Sequence, residues 1–187
     1  MEALVPAFIA ALLIQIGDRS ALLTAILADR FARPLLVALS VGLAHAATNT
    51  LAALAGLWAG PMLQPKGKAL LLAFALLYAG VFTLFPAGPV RRLDNWRIGP
   101  VLTPLVGALI LASGDRMQFL TFALAASSAP WFAAAGAILG SFAVTFVAAM
   151  LGEAAWQRIP LRAWRIGTGA LFLLGGAFLA LGALRLL

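Results

Sequence analysis

Residues 15–20 read Gln15-Ile16-Gly17-Asp18-Arg19-Ser20, and they interrupt a run from Leu4 to Leu27 that is otherwise almost wholly apolar. An adjacent carboxylate and guanidinium are costly in any low-dielectric surrounding. The tripeptide Gly-Asp-Arg returns at 114–116, inside Ala112-Ser113-Gly114-Asp115-Arg116-Met117-Gln118, at an offset of 97 residues and again within an apolar run. A charged motif placed twice where charge is least welcome sets the question of fold and function together.

The rest of the chain says what kind of surrounding this is. Of 187 residues, 64% are hydrophobic and 10% charged, and the mean hydropathy is +1.05. A soluble domain is about half apolar and a quarter charged, so the composition specifies an all-α polytopic membrane protein embedded in the lipid bilayer. With no cysteine, disulfides and thiolate metal sites are excluded. The net charge of +7 is spread singly or in pairs between apolar runs, as on membrane flanks, which argues against a nucleic-acid partner. Glu2 and the lack of a basic leader suggest that the first apolar run is a retained helix rather than a cleaved signal peptide. No GxxxxGK[ST] stretch provides for ATP; the expectation is a protein without a cofactor that is not an enzyme.

Apolar runs of bilayer length fall at 4–27, 35–60, 68–86, 100–126, 131–152 and 167–185, and the gaps carry the prolines and the charge. The long gap around 86–99, near the middle of the chain, divides it into 1–90 and 91–187, three helices each. At the offset of 97, Thr48 falls on Thr145, and within one residue Gly56 falls on Gly152 and Gly80 on Gly176. Three crossings are an odd number, so two such halves enter the membrane from opposite sides. The expectation is six transmembrane helices as two inverted three-helix repeats with a site near the midplane. Chance recurrence of small residues would account for the glycines, but poorly for a duplicated Asp-Arg pair. Loops one, three and five carry eight basic residues (Arg30, Arg33, Arg91, Arg92, Arg97, Arg158, Arg162, Arg165) against three opposite (Lys66, Lys68, Arg185). Basic loops stay inside, which predicts a cell inner-membrane protein with both termini outside the cytoplasm.

The two motifs resemble degenerate copies of the ExGD[KR][ST] signature, present once in each half of the GDT-one / transmembrane-protein-165 family, also called the second calcium:cation antiporter family. The resemblance covers the whole chain, including its length, its two three-helix halves and a motif in the first helix of each. It implies exchange of Mn²⁺ or Ca²⁺ for protons. The signature's glutamate is Gln15 in the first copy and Ala112 in the second; its hydroxyl is Ser20 and then Met117, followed by Gln118. Asp18 and Asp115 are the two carboxylates that remain of four.

Intramembrane carboxylates are candidates for function by default, and Asp18 and Asp115 are the expected cation ligands and proton exchangers; the alternative is an ion pair that closes a helix contact. Arg19 and Arg116, one residue on and about 100° round a helix, are expected to compensate their charge across the interface of the halves; the alternative is that they reach toward a water-filled cavity and contact the substrate. On the same helical reading Gln15 and Gln118 lie one turn from their aspartates and would add amide oxygens, with Ser20 adding a hydroxyl, unless they serve only as interhelical hydrogen-bond partners. Gly17 and Gly114 suggest local helix breaks beside the aspartates. His45, Thr48 and Asn49 share one helix face, and Ser141 and Thr145 another; packing is the simpler reading, though His45, the one histidine, is a possible proton relay. Glu153 is expected to be a solvated flank residue.

The function expected is therefore a secondary transporter for a divalent cation, manganese first. Two arginines balance two aspartates in the motifs, so a bound divalent ion leaves two positive charges uncompensated. Divalent transport is accordingly expected to be weaker than in chains keeping both glutamates, or absent. The alternatives are a transport-inactive structural or regulatory membrane paralogue and a small-solute exporter on a similar six-helix plan.

Overall fold

The structure is a computed structural model and is described for residues 2–86 and 88–184. Among these residues it contains eight α-helices and no strand: α1 (Leu4–Ile16), α2 (Arg19–Phe31), α3 (Pro34–Ala59), α4 (Pro65–Leu84), α5 (Gly99–Ala112), α6 (Arg116–Ser127), α7 (Pro130–Trp156) and α8 (Leu161–Leu184). The order is the same in each half: two short helices broken at the Gly-Asp motif, then two long ones. Proline stands in the first turn of α3, α4, α5 and α7, where its missing N–H has no intrahelical partner to lose.

By length and hydropathy α3, α4, α7 and α8 can each cross a membrane, and α1 with α2 makes a fifth span bent by 65°. At 14 residues α5 is too short to cross alone. The expected first run, 4–27, is therefore not one straight helix, and it continues to Phe31. The expected fifth connection, 153–167, is also mostly helical, because α7 runs to Trp156 and α8 begins at Leu161. Charge made this stretch look like a loop, yet arginine is a good helix former. Arg185, one of the three basic residues counted for the opposite side, lies outside the described residues, as do Met1 and Leu187.

Small residues set the packing. The backbone of α1 rests on Gly136 and Gly140 of α7, with Leu4 O and Phe8 O where a Cβ would be. Gly56 of α3 and Gly60, just past its end, admit Phe122 O and Ala126 O of α6 in the same way. Gly80 of α4 meets Gly169 and Leu173 of α8, while Gly176 meets Ala73 and Leu77. Close backbone approach over small residues is how helices associate in lipid, where apolar burial gives no net drive. These contacts fix directions: α1 runs parallel to α7, α3 parallel to α6, and α4 antiparallel to α8. The α4–α8 pair packs chiefly on itself and joins the rest mainly through α6. Large apolar side chains such as Leu39, Leu43, Trp58, Leu174 and Phe178 remain exposed, as suits a lipid-facing surface.

α7 has a break of its own. Gly152, with φ 73° and ψ 174°, is non-helical, and the Glu153 N–H beyond it donates to Asp29 Oδ2 at 2.7 Å. Glu153 also receives both guanidinium N–H groups of Arg92, at 2.8 and 2.6 Å, and the carboxylate raises the arginine's pKa through those bonds and its charge. Glu153 is thus not the solvated flank residue expected but a tie between α7 and residues 85–98. Arg30 holds the same connection through the carbonyls of Leu93, Asp94 and Trp96.

Candidate functional site

Both motif aspartates lie at helix breaks made the same way. The Asp18 N–H donates to Gln15 O at 3.1 Å, and the Asp115 N–H to Ala112 O at 3.1 Å. Each aspartate then caps the helix that follows: Asp18 Oδ2 accepts from Ser20 N at 3.1 Å, and Asp115 Oδ1 from Arg116 N at 2.7 Å. The first turn of a helix has unpaired N–H groups and positive potential, which favours an anion there. Two such N-termini meet at this site. Gly114 has φ 81°, a conformation glycine adopts without cost. Gly17 has an ordinary φ, but a Cβ there would sit 3.1 Å from the Arg165 stem.

One guanidinium reaches both carboxylates. Arg116 Nη2 donates to Asp18 Oδ1 at 3.2 Å, and Arg116 Nε lies 3.8 Å from Asp115 Oδ1. Its Nη1 donates to Phe82 O of α4 at 2.9 Å and to Thr83 Oγ1 at 3.4 Å. A cavity of about 500 Å³ adjoins this cluster. It lies between α4 (Tyr78, Phe82) and the α5–α6 break (Ser113, Gly114), and reaches Phe85 and Gly88 of the α4–α5 connection. Arg19 also lines it, but is exposed and makes no ion pair among the described residues. The two arginines take different places, Arg116 against Asp18 of the other half and Arg19 at the cavity wall; both follow N-caps rather than sharing continuous helices with their aspartates, so the 100° spacing does not apply.

The same break moves the glutamines. Buried Gln15 accepts from Ser20 Oγ at 2.9 Å and donates to Ser141 Oγ of α7 at 3.3 Å. Gln118 accepts from Gly114 N at 3.0 Å, close to the capping-box arrangement in which the third residue of a helix reaches back. Where the first copy has the hydrogen-bonded pair Gln15–Ser20, the second has Ala112 and Met117, both buried and apolar.

A profile of the family described as "Divalent cation/proton antiporter GDT1" matches residues 3–90 and, separately, residues 100–186. The chain belongs to that family. As a GDT1-family member it is a multi-pass membrane transporter and not an enzyme. A Vibrio cholerae serotype O1 protein with the name "Putative manganese exporter" is 27% identical over 168 residues, covering 87% of this chain and 82% of that one. No solved structure matches.

The remaining candidates are buried within the helix packing. Asn49 of α3 accepts from Thr121 Oγ1 of α6 at 2.9 Å and donates to His45 O at 2.9 Å. Thr48 and Thr145 bond back to carbonyls of their own helices. His45 is buried, and its Nε2 makes no hydrogen bond among the described residues. No group of three or more His, Asp or Glu side chains suited to a metal ion occurs among the described residues. Sequence reasoning missed Phe82 O and Thr83 as partners of the motif arginine. No side-chain pattern encodes the first, since it is a backbone carbonyl.

Proposed function

We propose that this chain exports a divalent cation, Mn²⁺ first, from the cytoplasm in exchange for protons across a cell inner membrane. The halves, 1–90 and 91–187, act as inverted three-helix repeats, with α1–α2 and α5–α6 each forming one broken crossing to make six. Support comes from the equivalent capping breaks, from the separate family matches to 3–90 and 100–186, and from the parallel pairing of α1 with α7 and of α6 with α3. The observation that carries the proposal is that Asp18 and Asp115, one from each half, contact the same guanidinium beside one cavity.

In this reading the aspartates bind the cation and the protons in turn. Ser20, Gln15 and Gln118 hold the breaks rather than the ion. With the α4–α5 connection and its Arg91, Arg92 and Arg97 on the cytoplasmic face, the cavity opens inward. Two carboxylates instead of the signature's four make flux slower than in relatives that keep the glutamates.

The test is Mn²⁺ flux in proteoliposomes driven by a pH gradient. The wild-type chain is expected to give a measurable flux that Asp18→Asn and Asp115→Asn abolish. Wild-type flux equal to empty liposomes, or flux unchanged in both variants, would overturn the reading and favour a transport-inactive paralogue or an exporter of another solute.

A further inference from the structure

Resting on the transport reading above, we propose that Arg116 is a tethered counter-cation: it fills the site between transport events, must be displaced by the incoming cation, and reports that displacement to α4. The two motif arginines are not equivalent. Arg19 stands exposed at the cavity wall, whereas Arg116 is inserted, with a side chain only 10% exposed, between Asp18 and Asp115. A guanidinium stays protonated under all relevant conditions, so it can leave the carboxylates only by moving.

Geometry makes that movement obligatory. A divalent ion takes its oxygens at roughly 2.0–2.6 Å, and the Asp18 oxygen it would use is held by Arg116 Nη2. An ion and a guanidinium cannot share the pair in a low-dielectric site without strong repulsion. With Arg116 in place the triad carries one net negative charge; with Arg116 withdrawn, two carboxylates match a divalent ion. The adjoining cavity, about 500 Å³, gives the side chain room to withdraw. Its bond to Asp115 is already incomplete, because Nε is buried 3.8 Å from the carboxylate without a hydrogen bond.

Displacement has a second effect. The same guanidinium ties Phe82 O and Thr83 Oγ1 near the C-terminal end of α4. When it swings out, that end of α4 loses its link to the α1–α2 and α5–α6 breaks. Ion occupancy thereby changes the hold on a helix that otherwise packs mainly on α8.

The experiment measures Mn²⁺ binding to the purified full chain and flux in proteoliposomes for wild type, Arg116→Lys, Arg116→Gln and Arg19→Gln. Arg116→Gln is expected to lower the half-saturating Mn²⁺ concentration about tenfold, the scale of one charge-assisted contact, while maximal flux falls. Arg116→Lys, a point charge without the fork, should fall between, and Arg19→Gln, which removes a charge from the cavity wall but not from between the carboxylates, should lower half-saturation less than Arg116→Gln does. In the wild-type chain, Mn²⁺ should speed amide hydrogen exchange at residues 82–86. Unchanged or weakened Mn²⁺ binding in a folded Arg116 variant, or slower exchange at 82–86 on adding Mn²⁺, would overturn the tether. Mn²⁺ binding absent from the wild type would instead overturn the transport reading on which it rests.

Discussion

A cap and a cation ligand make different demands on one carboxylate, and substitutions at Asp18 and Asp115 separate them. Asparagine caps a helix about as well as aspartate, whereas alanine costs about 1 kcal/mol. Asp115→Asn should therefore keep the thermal midpoint of the purified chain while losing Mn²⁺ flux, and Asp115→Ala should lose both. Equal melting of the two variants would mean that the cap contributes nothing. Gln15 offers the reverse test. Its Oε1 already accepts from Ser20 Oγ, and the Ser141 hydroxyl that accepts from its Nε2 can turn to donate, so a carboxylate fits between two hydroxyls. Gln15→Glu is expected to fold and to raise Mn²⁺ uptake several-fold, checked in the same liposomes. Ala112→Glu must place a carboxylate in a position only 3% exposed, and is expected to cost stability as well. The motif residues were legible in the sequence because charge stands out in apolar surroundings. Their capping role is legible too: Asp before an apolar run, with Gln three residues after Asp115, is a helix-start pattern. The insertion of Arg116 rather than Arg19 was not legible, since the two copies are locally alike and α4 makes the difference.

Among the elements, the long helices follow from hydropathy and from prolines at their starts; the sequence places α3, α4 and α7 within about four residues, whereas α8 starts at Leu161, six residues before the expected 167. Hydropathy fails at the breaks, where two or three residues unwind inside an apolar window and leave its average unchanged. It fails again at Gly152, which sits in a run that continues the helical pattern on both sides. There the chain takes φ 73° while Asp29 supplies an acceptor for Glu153 N, and a Cβ would overlap the Asp29 carboxylate. Gly152→Ala is accordingly expected to lower stability by about 1–3 kcal/mol, and Asp29→Ala by about 1 kcal/mol through the lost cap. Thermal unfolding in detergent reads both. A Gly152→Ala midpoint equal to wild type would show that α7 straightens there freely. The interhelical bonds Gln15–Ser141 and Asn49–Thr121 are worth only about 0.6 kcal/mol each in a membrane protein, so they orient helices more than they hold them.

For the molecule as a whole, the seams of small residues decide how the helices meet, and the seam between α4 and α8 is the one most separable from the rest. Gly80→Leu would drive a side chain into the Gly169 carbonyl and the Leu173 backbone. It is expected to part α4 from α8 and abolish flux while α1, α3, α6 and α7 stay packed, which limited proteolysis can distinguish from global unfolding. Orientation is checked with reporters placed in residues 85–98 and next to Gln64: the first should be cytoplasmic and the second external, and the opposite result would reverse the inward-open reading. Composition announced the membrane and the duplication announced two halves, but neither could say that the halves had become unlike. That unlikeness has a genetic consequence. The first half holds the amide–hydroxyl pair at its break and an arginine exposed at the cavity wall; the second holds an apolar pair and the arginine that lies between the carboxylates. A gene encoding the first half twice would lack the inserted guanidinium, and one encoding the second half twice would lack the polar support. In the proposed reading the two halves are therefore not interchangeable, and a chain built from either half twice is expected to lose Mn²⁺ transport.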